Sequence, residues 1–163
     1  MKEKFKTYML EVLEAFIIVA ILYLVFFPAK VDGSSMEKTL NNGDIICVSR
    51  VMAMAGLYEK DDVVVFNYDD GKKERRVIKR IAAAEGDIAE SIDGMLYING
   101  EKYEGYECGK EFKFELKEDE YFVLGDNNLA SIDSRDFGII TDKHIEGRAV
   151  IKVFPIGKIK LLL

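Results

Sequence analysis

At 163 residues the chain has room for one domain plus an anchor and none for a second globular domain. A net charge of −6, with no basic stripe interleaved with aromatics, argues against a nucleic-acid partner, because that affinity comes from Lys and Arg neutralising phosphates. Two cysteines and one histidine, Cys47, Cys108 and His144, cannot supply a Cys/His zinc site of ordinary spacing, so no metal or other cofactor is expected.

The chain opens on the short, net-positive Met1-Lys2-Glu3-Lys4-Phe5-Lys6, followed by an apolar stretch from Tyr8 to Phe27 that reads as one helix, ended by Pro28. Its uninterrupted part, Ala15 to Phe27, covers about 20 Å as a helix, against a hydrocarbon core of about 30 Å. Adding Tyr8, Met9, Leu10, Val12 and Leu13 brings it to about 20 residues, with Glu11 and Glu14 near the headgroups or facing a partner. The stretch is read as a membrane anchor, residues 1–29, with the positive end in the cytoplasm. A cleaved signal peptide fits less well, since Phe26-Phe27-Pro28-Ala29-Lys30 offers no small-x-small site. A buried core helix is the remaining alternative.

From residue 30 to 163 the texture changes to short β-branched runs separated by Gly, Asp and Asn, which predicts a mainly β domain. Strands are predicted over Ile45–Ser49, Val63–Tyr68, Arg76–Ala82, Met95–Ile98, Tyr121–Leu124 and Arg148–Phe154. Asp93-Gly94 and Asn99-Gly100 flank one of these strands, and both dipeptides suit tight turns that need positive φ at each central residue. Gly105 to Glu120 reads as a charged loop or edge strand, and Thr141 to Glu146 as a capped helical turn. The closing Ile159-Lys160-Leu161-Leu162-Leu163 either touches a bilayer or packs.

Three stretches could carry chemistry. In Arg75-Arg76-Val77-Ile78-Lys79-Arg80-Ile81, strand alternation puts Lys79 on one face with Val77 and Ile81. Burial there would lower its pKa, assisted by Arg76 and Arg80 as like charges, and a neutral lysine can act as a general base. An unburied lysine is only about 0.04% neutral at pH 7, so the placement decides the matter. The competing reading is an edge strand whose lysine snorkels to water. Ser34 and Ser35, in a turn opened by Gly33, are the hydroxyls a lysine base could activate. A flexible Gly-Ser linker is the alternative, and Met36 and Leu40 speak against it because a solvated linker does not ordinarily carry them. The third stretch, Gly125 to Gly138, is dense in short polar side chains; it is either a loop that satisfies buried groups or an Asx-rich turn with a surface Asp133-Arg135 pair.

Taken together, Gly33-Ser34-Ser35-Met36-Glu37-Lys38-Thr39-Leu40, Asn42-Gly43-Asp44, Asp62 to Phe66, Val77-Ile78-Lys79-Arg80-Ile81 with Gly86-Asp87, and Gly125-Asp126-Asn127 through Ser131-Ile132-Asp133-Ser134-Arg135 to Gly138 resemble the bacterial type I signal peptidases of Gram-positive type. The resemblance implies a β-rich catalytic domain behind one transmembrane helix, a hydrophobic face resting on the membrane, and a Ser/Lys endopeptidase that cleaves signal peptides from exported preproteins. It implies Ser35 as nucleophile, Lys79 as general base and the Ser35 backbone N–H as oxyanion donor. Ser131 would orient the lysine, with Asp133 and Arg135 bracing the site. Val31, Met36, Leu40, Val77 and Ile78 would line the substrate pockets. The partners implied are preprotein signal peptides, the lipid bilayer of the plasma membrane and the secretion translocon, with the catalytic domain outside the cytoplasm.

This sequence departs from the family pattern at Gly33, where some members carry an oxyanion-donating serine. It departs again at Lys38 and Glu85, where prolines are expected, and at Asp61, where glycine is. Two other readings are a specialised Ser/Lys peptidase with a narrow substrate and a non-catalytic, membrane-tethered peptide-binding β-domain.

Overall fold

The structure, a computed structural model, describes residues 2–51, 56, 58–69, 71 and 73–162; Met1 and Leu163, named in the terminal runs above, lie outside the described residues. It opens with helix α1 (Lys2–Val25), which stands clear of the rest of the protein. The 22 residues Lys4–Val25 are apolar enough to cross a membrane, and at 1.5 Å per residue they span about 33 Å, matching a hydrocarbon core of about 30 Å. Arg50 ties off the helix end: its backbone N–H donates to the Val25 carbonyl at 2.8 Å and its guanidinium to the Tyr23 carbonyl at 3.0 Å. These two carbonyls would otherwise lack partners, as the last four of any helix do.

The helix stops at Val25, before the expected end at Pro28, because Phe26–Lys30 forms a strand, β1. Phe27 and Ala29 point into the core and Pro28 points out. Proline is tolerated there because β1 is an edge strand, paired with β2 (Ile45–Ser49) on one side only. The expected boundary between residues 29 and 30 therefore falls inside β1, which belongs to the β-domain.

Ten further strands follow among the described residues: β3 (Val63–Asp69), β4 (Glu74–Ala83), β5 (Ile88–Ile92), β6 (Met95–Ile98), β7 (Glu101–Glu107), β8 (Lys113–Glu115), β9 (Glu120–Leu124), β10 (Ile140–Thr141), β11 (Ile145–Phe154) and β12 (Lys160–Leu161). A short helix, α2 (Ser134–Phe137), lies between β9 and β10, and a single 3-10 turn over Asp142–His144 precedes β11. The larger sheet runs β1-β2-β11-β3-β4-β9-β10, with β12 on β11; the smaller runs β7-β6-β5-β8. Both hairpins of β6 turn as the dipeptides require, with φ of 51° and 74° at Asp93-Gly94 and 54° and 77° at Asn99-Gly100.

Residues 105–120, expected as a loop or edge, supply β8 and the end of β7. Phe112 and Phe114 pack on Phe122 with ring centroids 5.6 and 6.1 Å apart, which joins the smaller sheet to the larger through one apolar cluster. A second cluster sits beneath β1, β2, β3 and the loop 31–40, and a third between β3, β4, β9 and α2. Cys47 and Cys108 are both free thiols.

Candidate active site

The loop that follows β1 is pinned at both ends. The Val31 N–H donates to the Asp44 carbonyl at 2.8 Å, and the Gly43 N–H returns to the Val31 carbonyl at 2.9 Å. Met36 and Leu40 are fully buried in the cluster under β1 and β2, so the segment is packed structure and not a linker. The Asp44 carboxylate accepts from the Asn41 N–H at 2.9 Å and from the buried Lys152 ammonium at 3.0 Å. Burial raises the Asp44 pKa, but these two donors outweigh it and hold the carboxyl below its ordinary value. Gly33 (φ 94°) and Lys38 (φ 97°) both adopt left-handed backbone, which glycine accepts freely and lysine does not.

Ser35 lines a cavity of about 620 Å³; Ser34 does not. One wall comes from β1 and the residues after it, Ala29 to Asp32, and the other from Lys73 and the first half of β4, Glu74 to Ile78. Both walls are unpaired strand edges: β1 ends the sheet, and β9 pairs with β4 only from Arg80 onward. Among the residues expected in the pockets, Val31, Met36, Val77 and Ile78 line this cavity. Leu40 does not; it is fully buried in the core, where it holds the loop down.

Lys79 is paired with Val64 across the β3–β4 ladder and is 3% exposed. On the other side of β4 the register pairs Arg80 with Leu124, so the next step sets Lys79 against Gly125. The Lys79 amine has no hydrogen-bond or ion-pair partner among the described residues. Burial pushes its pKa down to about 8, reinforced by the Arg135 guanidinium and opposed by Asp133, Asp126 and Asp136. The like charge is thus Arg135 and not Arg76 or Arg80. Those two lie on the opposite strand face and are neutralised, Arg76 by Glu146 at 2.7 Å and Arg80 by both oxygens of Asp126 at 2.8 Å.

Gly125 is the point where the other elements meet. A Cβ built on it would lie 2.2 Å from Ser131 Oγ and 2.6 Å from the Ser35 carbonyl oxygen, distances that exclude any side chain. Its N–H donates to Asp133 Oδ2 at 3.1 Å and its carbonyl accepts from the Tyr106 hydroxyl at 2.9 Å. The Ser131 hydroxyl beside it is buried without a hydrogen-bond partner. Two residues on from Gly125, Asn127 donates its N–H to the Ser35 carbonyl at 2.9 Å and its amide to the Ser34 carbonyl at 3.1 Å, fastening the β9–α2 loop to the loop that carries both serines.

Asp133 and Arg135 form a buried pair and not the surface pair that composition alone allows. Asp133 is 0% exposed; it accepts from Arg135 Nε at 2.8 Å and Nη2 at 3.0 Å and caps α2. Arg135 reaches on to the Glu107 carbonyl at 3.0 Å and the Asn128 carbonyl at 3.2 Å, with Tyr106 under its guanidinium at 5.2 Å. Gly125, Asn127 and Tyr106 carry no role in the sequence reading. Only Gly125, opening the polar loop directly after a predicted strand, offered a local signal. Among the described residues no three His, Cys, Asp or Glu side chains converge on a metal-sized site.

A family model described as "Signal peptidase, peptidase S26" matches residues 4–154. Signal peptidase I U of Bacillus subtilis (strain 168) is 30% identical over 98% of this chain and 95% of its own length. Signal peptidase I of Bacillus licheniformis is 32% identical over 95% and 94%. Among solved structures, the crystal structure of a signal peptidase I from Enterococcus faecalis V583 is 27% identical, covers 58% of this chain and 97% of that chain, and has a TM-score of 0.44.

Proposed function

Because the chain belongs to the signal peptidase family, peptidase S26, we propose that it is a membrane-anchored serine endopeptidase that removes signal peptides from exported preproteins with Ser35 as nucleophile and Lys79 as general base. The observation that carries the assignment is the convergence on Gly125: the Ser35 carbonyl, the orphaned Ser131 hydroxyl and, one register step away, the buried Lys79. An amine with a pKa of about 8 is roughly one-tenth neutral at pH 7, against about 0.04% for an ordinary lysine.

In the reaction, neutral Lys79 accepts the Ser35 hydroxyl proton as Oγ attacks the scissile carbonyl. The Ser35 N–H has no acceptor among the described residues and is therefore free to donate to the developing oxyanion, a contact that in such sites contributes about 3–4 kcal/mol. Lys79 returns the proton to the leaving amine as the C–N bond breaks. Water, deprotonated by the same amine, then hydrolyses the ester. Ser131, with its hydroxyl free, orients the amine. Asp133, itself gripped by Arg135, holds Gly125 and so fixes the gap the two groups share.

The substrate enters as an extended strand between the free edges of β1 and β4, a mode in which main-chain hydrogen bonds give affinity and alternate side chains fill pockets. Val31, Met36, Val77 and Ile78 leave room for small side chains before the cut. Helix α1 anchors the enzyme with Lys4 and Lys6 in the cytoplasm and the β-domain outside, beside the emerging preprotein.

Ser35→Ala and Lys79→Ala should each abolish cleavage of a preprotein carrying Ala at the first and third positions before the cut, while Ser34→Ala should cleave normally. A serine-reactive probe should acylate wild type and Ser34→Ala but not Ser35→Ala. Full activity in Ser35→Ala or Lys79→Ala would overturn the dyad; loss in Ser34→Ala alone would move the nucleophile.

A further inference from the structure

We propose that Leu129 and Ile132 form the subsite for the first residues after the scissile bond, the segment that departs when Ser35 is acylated; this rests on the peptidase reading above. Leu129 is 91% exposed, the most exposed large apolar side chain among the described residues, and Ile132 is 70% exposed. A single exposed leucine is ordinary. These two, however, flank Ser131, whose hydroxyl is buried in the site.

The loop that presents them is held from below. Asn127 binds the Ser34 and Ser35 carbonyls, Arg135 binds the Asn128 carbonyl at 3.2 Å, and the Asn128 amide binds the Gly105 carbonyl. The loop is thus tethered to the backbone of both serines, and it leaves the Leu129 and Ile132 side chains turned out to solvent.

The direction of the substrate follows from the cavity. Its lining comprises Ala29 to Asp32, Ser35, Met36 and Lys73 to Ile78, and no residue from 125 to 132 lines it. A chain that fills the cavity up to the scissile carbonyl has to continue past Ser35, and the β9–α2 loop is what borders Ser35 there. The acyl-enzyme keeps the cavity-bound part, while the leaving amine, protonated by Lys79, departs across Leu129 and Ile132. Contact with these residues therefore favours acylation and has no bearing on hydrolysis of the ester. The occupant is an extended peptide with apolar side chains at its first positions.

The test uses the full chain in detergent micelles and in phosphatidylglycerol/phosphatidylethanolamine vesicles. Peptides carrying Leu-Val or Asp-Asp after the cut are compared with an ester whose leaving group is a small alcohol. In L129N/I132N the ratio of kcat/KM for the Leu-Val peptide to that for the ester should fall about tenfold, the scale of removing apolar contacts from a pocket. Leu129→Lys should move the preference toward the Asp-Asp peptide. An unchanged ratio overturns the proposal, as does an equal loss on peptide and ester, which would mean a merely structural loop. A loss seen only in vesicles would assign the two side chains to the bilayer instead. If wild type neither cleaves peptide nor is acylated by a serine-reactive probe, the peptidase reading itself fails.

Discussion

Gly125→Ala is the sharpest test of how the site is held together. Gly125 does not occupy left-handed backbone, so alanine meets no conformational obstacle there, and the whole effect is steric. The new methyl group would stand 2.2 Å from Ser131 Oγ, 2.5 Å from Ser131 Cβ and 2.6 Å from the Ser35 carbonyl, where ordinary contact begins at 3.4 Å. Ser131 must then withdraw by about 1.2 Å and the Ser35 backbone by about 0.8 Å, shifts of the size that in a catalytic site cost about 10²-fold in rate. Overpacking of this kind destabilises by about 1–3 kcal/mol, less than most domains can tolerate before unfolding.

The expected result is a hundredfold fall in kcat with a much smaller change in KM, in a protein that remains folded. Steady-state cleavage of a preprotein peptide, read beside a thermal melt in detergent, separates the two. Gly147→Ala serves as the comparison: its Cβ would lie 2.5 Å from the Ser49 carbonyl, an equal clash that engages none of the proposed catalytic groups. It should lose stability and keep its kcat per folded molecule. Gly157→Ala, with open space around it, should lose neither. If Gly125→Ala cleaves within threefold of wild type, Gly125 is not the joint between Ser35 and Ser131.

Acylation should rise tenfold per pH unit from pH 6 and level off near pH 8, where Lys79 loses its proton; a rate that is flat over pH 6 to 10 excludes a lysine base. The same burial costs stability. The folded Lys79 pKa lies below its unfolded value, so the folded state binds fewer protons between about pH 8 and pH 10.5, and stability rises with pH across that window. Lys79→Met should therefore be inactive yet more stable at pH 7, by up to about 3 kcal/mol, with the gain disappearing above pH 10.5; urea titrations at both pH values measure it. Restoring the family proline with Lys38→Pro should destabilise the nucleophile loop by about 3 kcal/mol or more, because proline holds φ near −65° and residue 38 sits at 97°. Lys38→Gly, which accepts that φ, should match or exceed wild type in Tm, and equal Tm values for the two variants would mean the loop backbone is not as described.

Much of this site was legible in the sequence, and what was legible was local. Met36 and Leu40 marked the serine loop as packed because apolar side chains four residues apart do not belong in solvent, and both are buried. Strand alternation singled out Lys79 because it needs only its own neighbours. The hairpins of β6 were fixed by two dipeptides whose φ demands are intrinsic. What failed depended on partners distant in the chain. Phe26-Phe27-Pro28 reads as the end of an apolar helix until β2 is present to pair with it. Residues 105–120 look like a charged loop because only one side of their strands meets the Phe122 cluster. Gly125 looks like any turn glycine until Ser35 and Ser131, brought from 90 residues before it and 6 after it, converge on its missing side chain.

The same contrast separates the fold from the chemistry. The domain pairs other buried charges with a partner: Lys152 with Asp44 and Arg135 with Asp133. At the site it leaves the Lys79 amine and the Ser131 hydroxyl without partners, next to a glycine that keeps the space between them open. A buried hydroxyl without a partner, as at Ser131, costs about 1–3 kcal/mol. A sequence optimised for folding alone would put methionine at 79 and alanine at 131. A lysine held there neutral, facing a serine that needs a base, is the arrangement an acyl-transfer reaction requires, and the Lys79→Met stability gain measures how much the fold gives up for it.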